Sequence, residues 1–379
     1  MTSRWKQVAT LLDAAVADGV FPGACALVGD RRGRLFEHAS GSLAIAGTDS
    51  LVSIDTVWDV ASLTKPLITA AAVVVLVQRG QLGLDDRIAD VLPHFASDED
   101  PRRHHVRVRN LLRHDSGLPA HRHFYENLVP EPSSRAAADL RREQLLRRIV
   151  AEPLERDPGG SSVYSDIGFL VLGCVVEAIT GERIDRVAAQ LVLDPLGVED
   201  AWFVDVIEAV SGRSPLPLAR TAATGHCPWR GRVVHGVVQD QNAYALGGLT
   251  SHAGLFATIS AAEVLAREWI DASRGCGRVL DGRMVRYMWR PQQTTGSTWA
   301  LGWDTPSAQG SSAGSRVSPH AVGHLGYTGT SVWLDRRRGV HVLLLTNRVA
   351  SDTTGSGIRG LRPRFHDAVF DAVDAERVR

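Results

Sequence analysis

At residues 57–66 the chain reads Val-Trp-Asp-Val-Ala-Ser-Leu-Thr-Lys-Pro, and an almost wholly apolar run from Leu67 to Val77 follows. A helix that is apolar on every side is buried in the interior of a protein. This run is too short to span a bilayer, and the polar residues 78–79 with Gly80 end it. We therefore predict a helix that begins at Ser62 and passes through the middle of a globular protein.

Ser62 and Lys65 are three residues apart, so they lie on one face of that helix, one turn apart. A serine hydroxyl needs a neighbouring group to take its proton, and a lysine amine can do so once burial disfavours its charged form. Free backbone N–H groups at a helix N-terminus suit a developing oxyanion. The spacing thus indicates a nucleophile and its base. The alternative is that Ser62 caps the helix while Lys65 lies on its solvated rim.

Composition and charge narrow the classes of function. Lys plus Arg and Asp plus Glu number 42 each, so no overall charge attracts nucleic acid or an anionic membrane. Four widely spaced cysteines favour reduced thiols over a disulfide framework. We predict no cofactor and no metal, since the histidines between His104 and His123 lack the spacing of zinc ligands. The first residues show no signal-peptide pattern, so we expect a cytoplasmic protein.

Strand patterns occur towards both ends of the chain, with helical patterns between them. Apolar strands are predicted at 24–28, 35–39, 331–334 and 340–345, and a final amphipathic helix at about 363–373. We predict an α+β fold in which residues 1–66 and 216–379 build one mainly antiparallel sheet flanked by helices. Residues 67–215 would form an inserted all-α lobe, with the active site in the cleft between the two.

A second motif, Tyr164-Ser165-Asp166, lies between a Gly159-Gly160 turn and an apolar helix that begins near Gly168. A loop anchored by a buried helix can hold a phenol rigidly at the surface of a lobe. A nearby ammonium group favours the phenolate, so Tyr164 is a candidate to shuttle protons for Ser62. The alternative is a capping loop with a packed aromatic ring.

A third motif, Gly-His-Leu-Gly-Tyr-Thr-Gly-Thr at residues 323–330, precedes the two C-terminal strands. Glycine at position 326 would let a substrate approach the backbone of an edge strand. The N–H of Tyr327 could then act with that of Ser62 as the second oxyanion donor. The alternative is a glycine-rich turn with a surface histidine.

Together and in this order, the three motifs resemble the serine β-lactamase and penicillin-binding-protein superfamily, in particular its class C-like branch of family VIII-type esterases and D-aminopeptidase-like hydrolases. The resemblance covers nearly the whole chain. Other stretches that carry it are residues 111–118, 247–248 with 252–256, 300–304 and 344–348. It implies that Ser62 is acylated, that Lys65 and Tyr164 share the base and acid work, and that residues 324–326 line the cleft.

Two departures from the class C pattern bear on the substrate. Asp166 stands where that pattern has asparagine, and His324 where it has lysine. The second change removes a fixed cation for a β-lactam carboxylate, since a histidine with an ordinary pKa of about 6.5 is mostly neutral at pH 7. Asp166 adds an anion that would repel an anionic substrate or attract an amine. Both changes count against an efficient β-lactamase.

Two more residues are candidates for the binding surface. His252 lies between Gly248 and Gly254 and could border the cleft, or it could be a satisfied loop histidine. Trp303 could wall an acyl pocket or pack on the sheet.

The leading hypothesis is a serine hydrolase that forms an acyl-enzyme on small esters or amides, most simply a β-lactamase-like esterase. One alternative is an amidase or peptidase on peptidoglycan fragments, or a weak β-lactamase. A second is a non-catalytic sensor module that is acylated and stalls. The oligomeric state does not follow from the sequence.

Overall fold

The computed structural model describes residues 3–291, 296–351 and 354–377. Its strands are β1 (Gly23–Asp30), β2 (Gly33–Gly41), β3 (Val57–Asp59), β4 (Ala201–Phe203), β5 (Gly225–Cys227), β6 (Arg232–Val234), β7 (Leu255–Thr258), β8 (Val322–Leu325), β9 (Ser331–Asp335) and β10 (Val340–Thr346). Its α-helices are α1 (Ser3–Ala17), α2 (Ala71–Gln78), α3 (Ile88–Val91), α4 (Val108–Leu112), α5 (Arg135–Val150), α6 (Asp166–Thr180), α7 (Ile184–Ala188), α8 (Asp194–Leu196), α9 (Val206–Val210), α10 (Gln241–Ala245), α11 (Ile259–Ser273), α12 (Gly282–Met288) and α13 (Ser356–Arg377).

The main sheet has five strands in the order β2-β1-β10-β9-β8, and every neighbouring pair is antiparallel. Strands from the two ends of the chain meet at its centre, where Ala26 of β1 lies opposite Leu344 of β10. The prediction of an antiparallel sheet built from both chain ends is therefore confirmed. Strand β8 is at the edge, and the third motif begins within it and continues into the turn that follows.

Both faces of this sheet are covered by helices. Alternate residues of its central strands point to opposite sides, so each face contributes side chains to a different core. On one face Ala26 and Leu344 join a core with Trp5 of α1 and Phe365 of α13. On the other face the intervening residues, such as Leu27, belong to a larger core that includes α11 and the predicted buried helix. The sheet is thus a rigid layer between two sets of helices.

The predicted central helix exists, but it is not one regular α-helix. Ala61–Leu63 is a 3-10 turn, Lys65–Ala70 has π-helical hydrogen bonding, and α2 continues from Ala71. By length and composition, the segment Ala61–Gln78 could cross a membrane, but 83% of it is buried inside the molecule. That burial identifies it as a core helix, as its apolar surface predicts.

One detail of the predicted insert differs. Residues 67–215 are mostly helical, yet they contribute β4, which pairs with β7 in a small sheet of order β3-β7-β4. A three-residue strand is too short to leave a periodic signal in sequence. The division into residues 1–66 with 216–379 and residues 67–215 stays a prediction.

Truncating Leu344 to alanine tests the two-faced sheet. Leu344 is fully buried, so Leu344→Ala should lower the free energy of unfolding by about 2–5 kcal/mol. Leu140→Ala makes the same chemical change on α5 at a side chain that is 54% exposed, and should stay within about 0.5 kcal/mol of wild type. Urea denaturation of both variants provides the measurement. Equal losses would contradict the assigned core.

Candidate active site

A strained turn presents Ser62 at the end of β3. Ala61 has a φ of 50°, in the left-handed region that non-glycine residues seldom adopt. The Asp59 carboxylate holds the turn by accepting the Ala61 N–H at 2.9 Å, and the Thr330 hydroxyl donates to the Val60 carbonyl at 3.0 Å. Such strain persists only where surrounding contacts over-determine the backbone. These contacts fix the direction in which the Ser62 side chain points.

The three predicted catalytic side chains meet at the Ser62 hydroxyl. Lys65 Nζ lies 2.9 Å from Ser62 Oγ, and the Tyr164 hydroxyl donates to the same oxygen at 2.8 Å. Tyr164 is 102 residues further along the chain and reaches the serine because α6 begins at Asp166, directly behind it. Ser62 does not cap the helix, so the capping alternative is not what the structure shows.

Lys65 is fully buried and is held by three acceptors. Besides Ser62 Oγ, its Nζ donates to Asp166 Oδ1 at 2.7 Å and to the His252 carbonyl oxygen at 2.9 Å. Burial alone would lower the lysine pKa, but the Asp166 carboxylate outweighs it and the pKa of Lys65 is raised. The expectation that burial leaves a neutral amine was wrong, because it omitted this ion pair.

Tyr164 is held by a cluster of rings. His114 and Trp299 lie 4.8 and 5.4 Å from it, and His324 lies 5.9 Å away, between ring centroids. Burial raises the pKa of Tyr164 to about 12, against the opposing effect of Lys65. The expected phenolate is therefore not the resting form. At neutral pH Tyr164 is a hydroxyl donor to Ser62.

Two backbone N–H groups beside the serine are available as oxyanion donors. Within the described ranges, neither the Ser62 nor the Tyr327 N–H donates to a protein acceptor. Both residues line the same cavity. A Cβ at Gly326 would collide with the Thr330 side chain and the Val60 carbonyl, so packing alone requires glycine there, and the close approach of a substrate to this backbone stays a prediction. The lack of a side chain at Gly326 serves protein packing against the nucleophile's turn.

Of the three side chains predicted to line the cleft, His324, His252 and Trp303, only that of His324 does so. His324 lines the cavity, and burial together with Lys65 lowers its pKa to about 3, so its ring is neutral as expected. The His252 ring is buried and paired with Asp240 at 3.1 Å, so its contribution is the carbonyl that holds Lys65. Trp303 is wrong as a cleft residue: it is fully buried against Trp269, at 5.2 Å between ring centroids.

Two cavities meet at Ser62, Asp166 and Tyr327, which line both of them. One, of about 480 Å³, has a wall of arginines and an indole: Trp299, Arg348, Arg359 and Arg362. We call it the arginine cavity. The other, of about 380 Å³, carries His121, Gln239 and Asp240, and we call it the acidic cavity. The arginine cavity also carries Asp304, but its three arginines outnumber its carboxylates, so the side chains on the two sides of the nucleophile differ in charge.

Several residues that build this site were not singled out from the sequence. Asp59, Thr328 and Thr330 hold the turn before Ser62, with the Thr328 hydroxyl donating to the Asp59 carbonyl at 2.8 Å. The two threonines lie within the third motif, so the sequence placed them near the site. It gave no sign that their hydroxyls would hold the turn before Ser62. Trp299 takes the place expected of Trp303, four residues away, and nothing in the local pattern distinguishes the two.

In the described part of the chain, no group of three or more histidine, cysteine or acidic side chains could hold a metal ion. Of the histidines between His104 and His123, the rings of His121 and His123 lie 5.3 Å apart between centroids. His114 packs on Tyr164, while His121 lies 3.6 Å from Asp166 through Nδ1.

Comparison with known proteins agrees with this geometry. Residues 8–361 match the Beta-lactamase family. The chain belongs to that family. It is 30% identical over 310 residues to a protein named "Putative D-alanyl-D-alanine carboxypeptidase" of Escherichia coli K12, covering 77% of this chain and 69% of that protein. It is 28% identical to the N-acetylmuramyl-L-alanine amidase of Bacillus subtilis 168, over 92% and 81% of the two chains.

A similar solved structure supports the fold. EstCE1, a hydrolase with promiscuous acyltransferase activity, matches with a TM-score of 0.75 over 97% of this chain and 98% of that one, at 22% sequence identity. At that identity the match supports the fold alone. The family assignment confirms the resemblance to the serine β-lactamase and penicillin-binding-protein superfamily, while the class C-like branch stays a prediction.

The neutral His324 predicts a measurable pH effect on stability. An unfolded histidine takes up a proton near pH 6.5, while burial keeps the pKa of His324 at about 3, so the unfolded state binds more protons between these values. The free energy of unfolding must then fall as the pH drops through this window. His324→Gln should remove about 2–3 kcal/mol of the wild-type loss between pH 7.5 and pH 4.5.

Urea denaturation at both pH values measures this difference. His320→Gln, at an exposed histidine, is the matched control and should keep the wild-type loss. A wild-type loss in the His324 variant would show that the ring is charged in the folded protein.

Proposed function

We propose that this protein hydrolyses a carbonyl substrate through an acyl-enzyme formed on Ser62. The observation that carries the proposal is the convergence of Lys65 Nζ and the Tyr164 hydroxyl on Ser62 Oγ, at 2.9 and 2.8 Å. A nucleophile within hydrogen-bond reach of an amine and a phenol, in a buried site beside a cavity, is the arrangement that covalent catalysis needs. A cytoplasmic location stays a prediction.

Each group has a distinct part in the proposed reaction. Ser62 Oγ attacks the substrate carbonyl carbon while Lys65, in its neutral amine form, takes the serine proton. The N–H groups of Ser62 and Tyr327 stabilise the oxyanion, and one such donor commonly contributes about 10²–10³ in kcat. Tyr164 stays protonated and donates to the serine oxygen in the resting site, so it is placed to pass a proton to the departing group. Water then releases the acyl group by the reverse steps.

The arginine cavity favours a substrate that carries a carboxylate. Arg362 is only 6% exposed, and within the described residues neither it nor Arg359 forms an ion pair with a carboxylate. Burying a guanidinium without a counter-ion is costly, and burial lowers the pKa of Arg362 to about 9. An anionic group bound there would relieve that cost. This supports an amidase or peptidase that acts on peptides with a free carboxylate.

The curated relatives point the same way. The proteins named "Putative D-alanyl-D-alanine carboxypeptidase" and "N-acetylmuramyl-L-alanine amidase" both carry names of enzymes that cleave amide bonds. We therefore place amide bonds of peptidoglycan fragments ahead of simple esters as substrates. The esterase is the second candidate, supported by the similarity of the fold to EstCE1. A sensor that is acylated and stalls would give no turnover.

Replacing the nucleophile tests the acyl-enzyme directly. Ser62→Ala should lower p-nitrophenyl ester hydrolysis at least about 10³-fold and abolish labelling by a fluorophosphonate, since the proposed nucleophile is removed. Ser161→Ala removes an exposed hydroxyl three residues before Tyr164 and should keep the wild-type rate. Peptide mapping of the labelled protein locates the modified residue. Full activity in the Ser62 variant would end the proposal.

A second substitution tests the substrate class. Arg359→Ala should raise the KM for a muropeptide about tenfold, since charge-assisted hydrogen bonds contribute about 1.5–3 kcal/mol, and should leave the KM for a neutral ester unchanged. Arg364→Ala removes an exposed arginine of the same helix outside the cavity wall and should change neither. Equal effects of Arg359→Ala on both substrates would contradict carboxylate recognition.

A further inference from the structure

The oxyanion donor of Tyr327 belongs to a peptide group whose other end is also held. Residues 326–330 form the turn between β8 and β9, and the Tyr327 N–H shares one planar unit with the Gly326 carbonyl. The described part of the chain has no cis peptide bond, so this N–H and this carbonyl point in opposite directions. Whatever fixes the direction of the Gly326 carbonyl therefore fixes the direction of the Tyr327 N–H.

A buried arginine of α13 reaches that carbonyl. Arg362 Nη2 donates to the Gly326 carbonyl oxygen at 3.0 Å and to the Thr330 carbonyl oxygen at 2.7 Å. One nitrogen atom of the guanidinium thus bridges the first and last residues of the turn. Because Arg362 is buried, water competes little for these hydrogen bonds and screens the positive charge only weakly.

The turn does not need Arg362 to satisfy these two carbonyl groups. The Gly326 carbonyl also accepts the Gly329 N–H at 3.1 Å, and the Thr330 carbonyl also accepts the Gly326 N–H at 2.8 Å. A neutral side chain at position 362 would therefore leave both carbonyls with a hydrogen-bond partner. The arginine is an addition to a turn that is already closed by its own backbone.

This addition is costly. A buried guanidinium without a counter-ion is unfavourable, and Arg348 places a second positive charge nearby. Within the described residues, Nε of Arg362 is buried and has no hydrogen-bond acceptor. Proteins keep such unfavourable groups mainly at functional sites. The cost of burying Arg362 therefore points to a part in the chemistry of the cleft.

A cation at the carbonyl end of a peptide group strengthens the donor at its N–H end. Hydrogen bonds from a charged donor are stronger than neutral ones, and linked hydrogen bonds polarise one another. The charge of Arg362 draws electron density towards the Gly326 oxygen, so the Tyr327 N–H becomes more positive. A donor that is aimed and polarised in advance needs no reorganisation when the oxyanion forms.

We propose that Arg362 is a positioning residue of the oxyanion site, which fixes and polarises the peptide group between Gly326 and Tyr327. It acts through the Tyr327 N–H. This inference rests on the proposed acyl-enzyme at Ser62. It goes beyond carboxylate binding in the arginine cavity, because it applies equally to substrates that carry no charge.

The other arginine on the same face of α13 differs in its contacts. Arg359 lies three residues before Arg362 and donates to the carbonyls of Gly355 and Thr354, at 3.1 and 3.0 Å. Both arginines line the arginine cavity, but of the two only Arg362 is bonded to the turn that carries the oxyanion donor. A neutral substrate isolates this second role, since it offers no carboxylate to either arginine.

The experiment uses the full chain, a neutral p-nitrophenyl ester and the infrared carbonyl frequency of an acyl-enzyme formed from a slowly released substrate. Arg362→Ala should lower kcat about tenfold, less than the roughly 10²–10³ lost with a whole oxyanion donor. KM should stay within about twofold of wild type, because acylation and deacylation both pass through an oxyanion. The acyl carbonyl should absorb at a higher frequency, since a weaker hydrogen bond polarises it less.

Arg364→Ala removes an exposed arginine of the same helix outside the cavity wall and should match wild type in every measurement. A wild-type kcat in Arg362→Ala, or a raised KM with an unchanged kcat, would overturn the inference, as would an unshifted acyl carbonyl. If circular dichroism shows that Arg362→Ala does not fold, Arg362→Gln, which keeps a side-chain amide without the charge, carries the same expectations.

Unfolding of both variants would also overturn the inference, because the turn would then need the arginine for its structure. The two proposals fail in different ways. Acylation of wild type at a residue other than Ser62 would end the proposed function itself. Acylation of Ser62 together with wild-type behaviour of Arg362→Ala would end only the role of Arg362.

Discussion

The ion pair between Lys65 and Asp166 is the contact on which the rest of the site depends. Lys65 is fully buried, and an unpaired ammonium there would be far too costly to keep charged. Its three acceptors belong to the central helix, to the start of α6 and to the loop before β7, which are separated by up to 187 residues in sequence. One nitrogen atom therefore ties together the segments that carry the nucleophile, the phenol and the wall of the cleft.

Around that ion pair, the fold orients the Ser62 nucleophile. The five-stranded sheet brings the third motif to its edge at β8, and the hydroxyls of Thr328 and Thr330 reach from there to the strained turn before Ser62. Two backbone N–H groups from the two segments are thereby left beside the serine. Because contacts on both sides hold this turn, the surrounding fold determines the position of the Ser62 side chain. The conformational preference of the turn itself does not.

Much of this could be predicted from the sequence, for physical reasons. The burial of the segment after Ser62 follows from its apolar surface, the antiparallel sheet follows from paired strand patterns, and the meeting of Ser62, Lys65 and Tyr164 follows from the motifs and their order. The protonation states could not be predicted. The pKa of Lys65 depends on a carboxylate 101 residues away, and that of Tyr164 on how completely its ring is enclosed. Trp303 and Trp299 could not be told apart either, because which of two nearby indoles faces a cavity is decided by tertiary packing.

The difference in charge between the two cavities links the chemistry to the substrate. On one side of Ser62 a buried arginine lacks a carboxylate partner among the described residues, and on the other side carboxylates surround a histidine that reaches solvent. A crystal structure of the protein trapped with a slowly released substrate tests the central claim most directly. The account predicts a covalent bond from Ser62 Oγ to the acyl carbon, with the carbonyl oxygen within hydrogen-bond distance of the N–H groups of both Ser62 and Tyr327. An acyl group on another residue, or a carbonyl oxygen turned away from both donors, would contradict it.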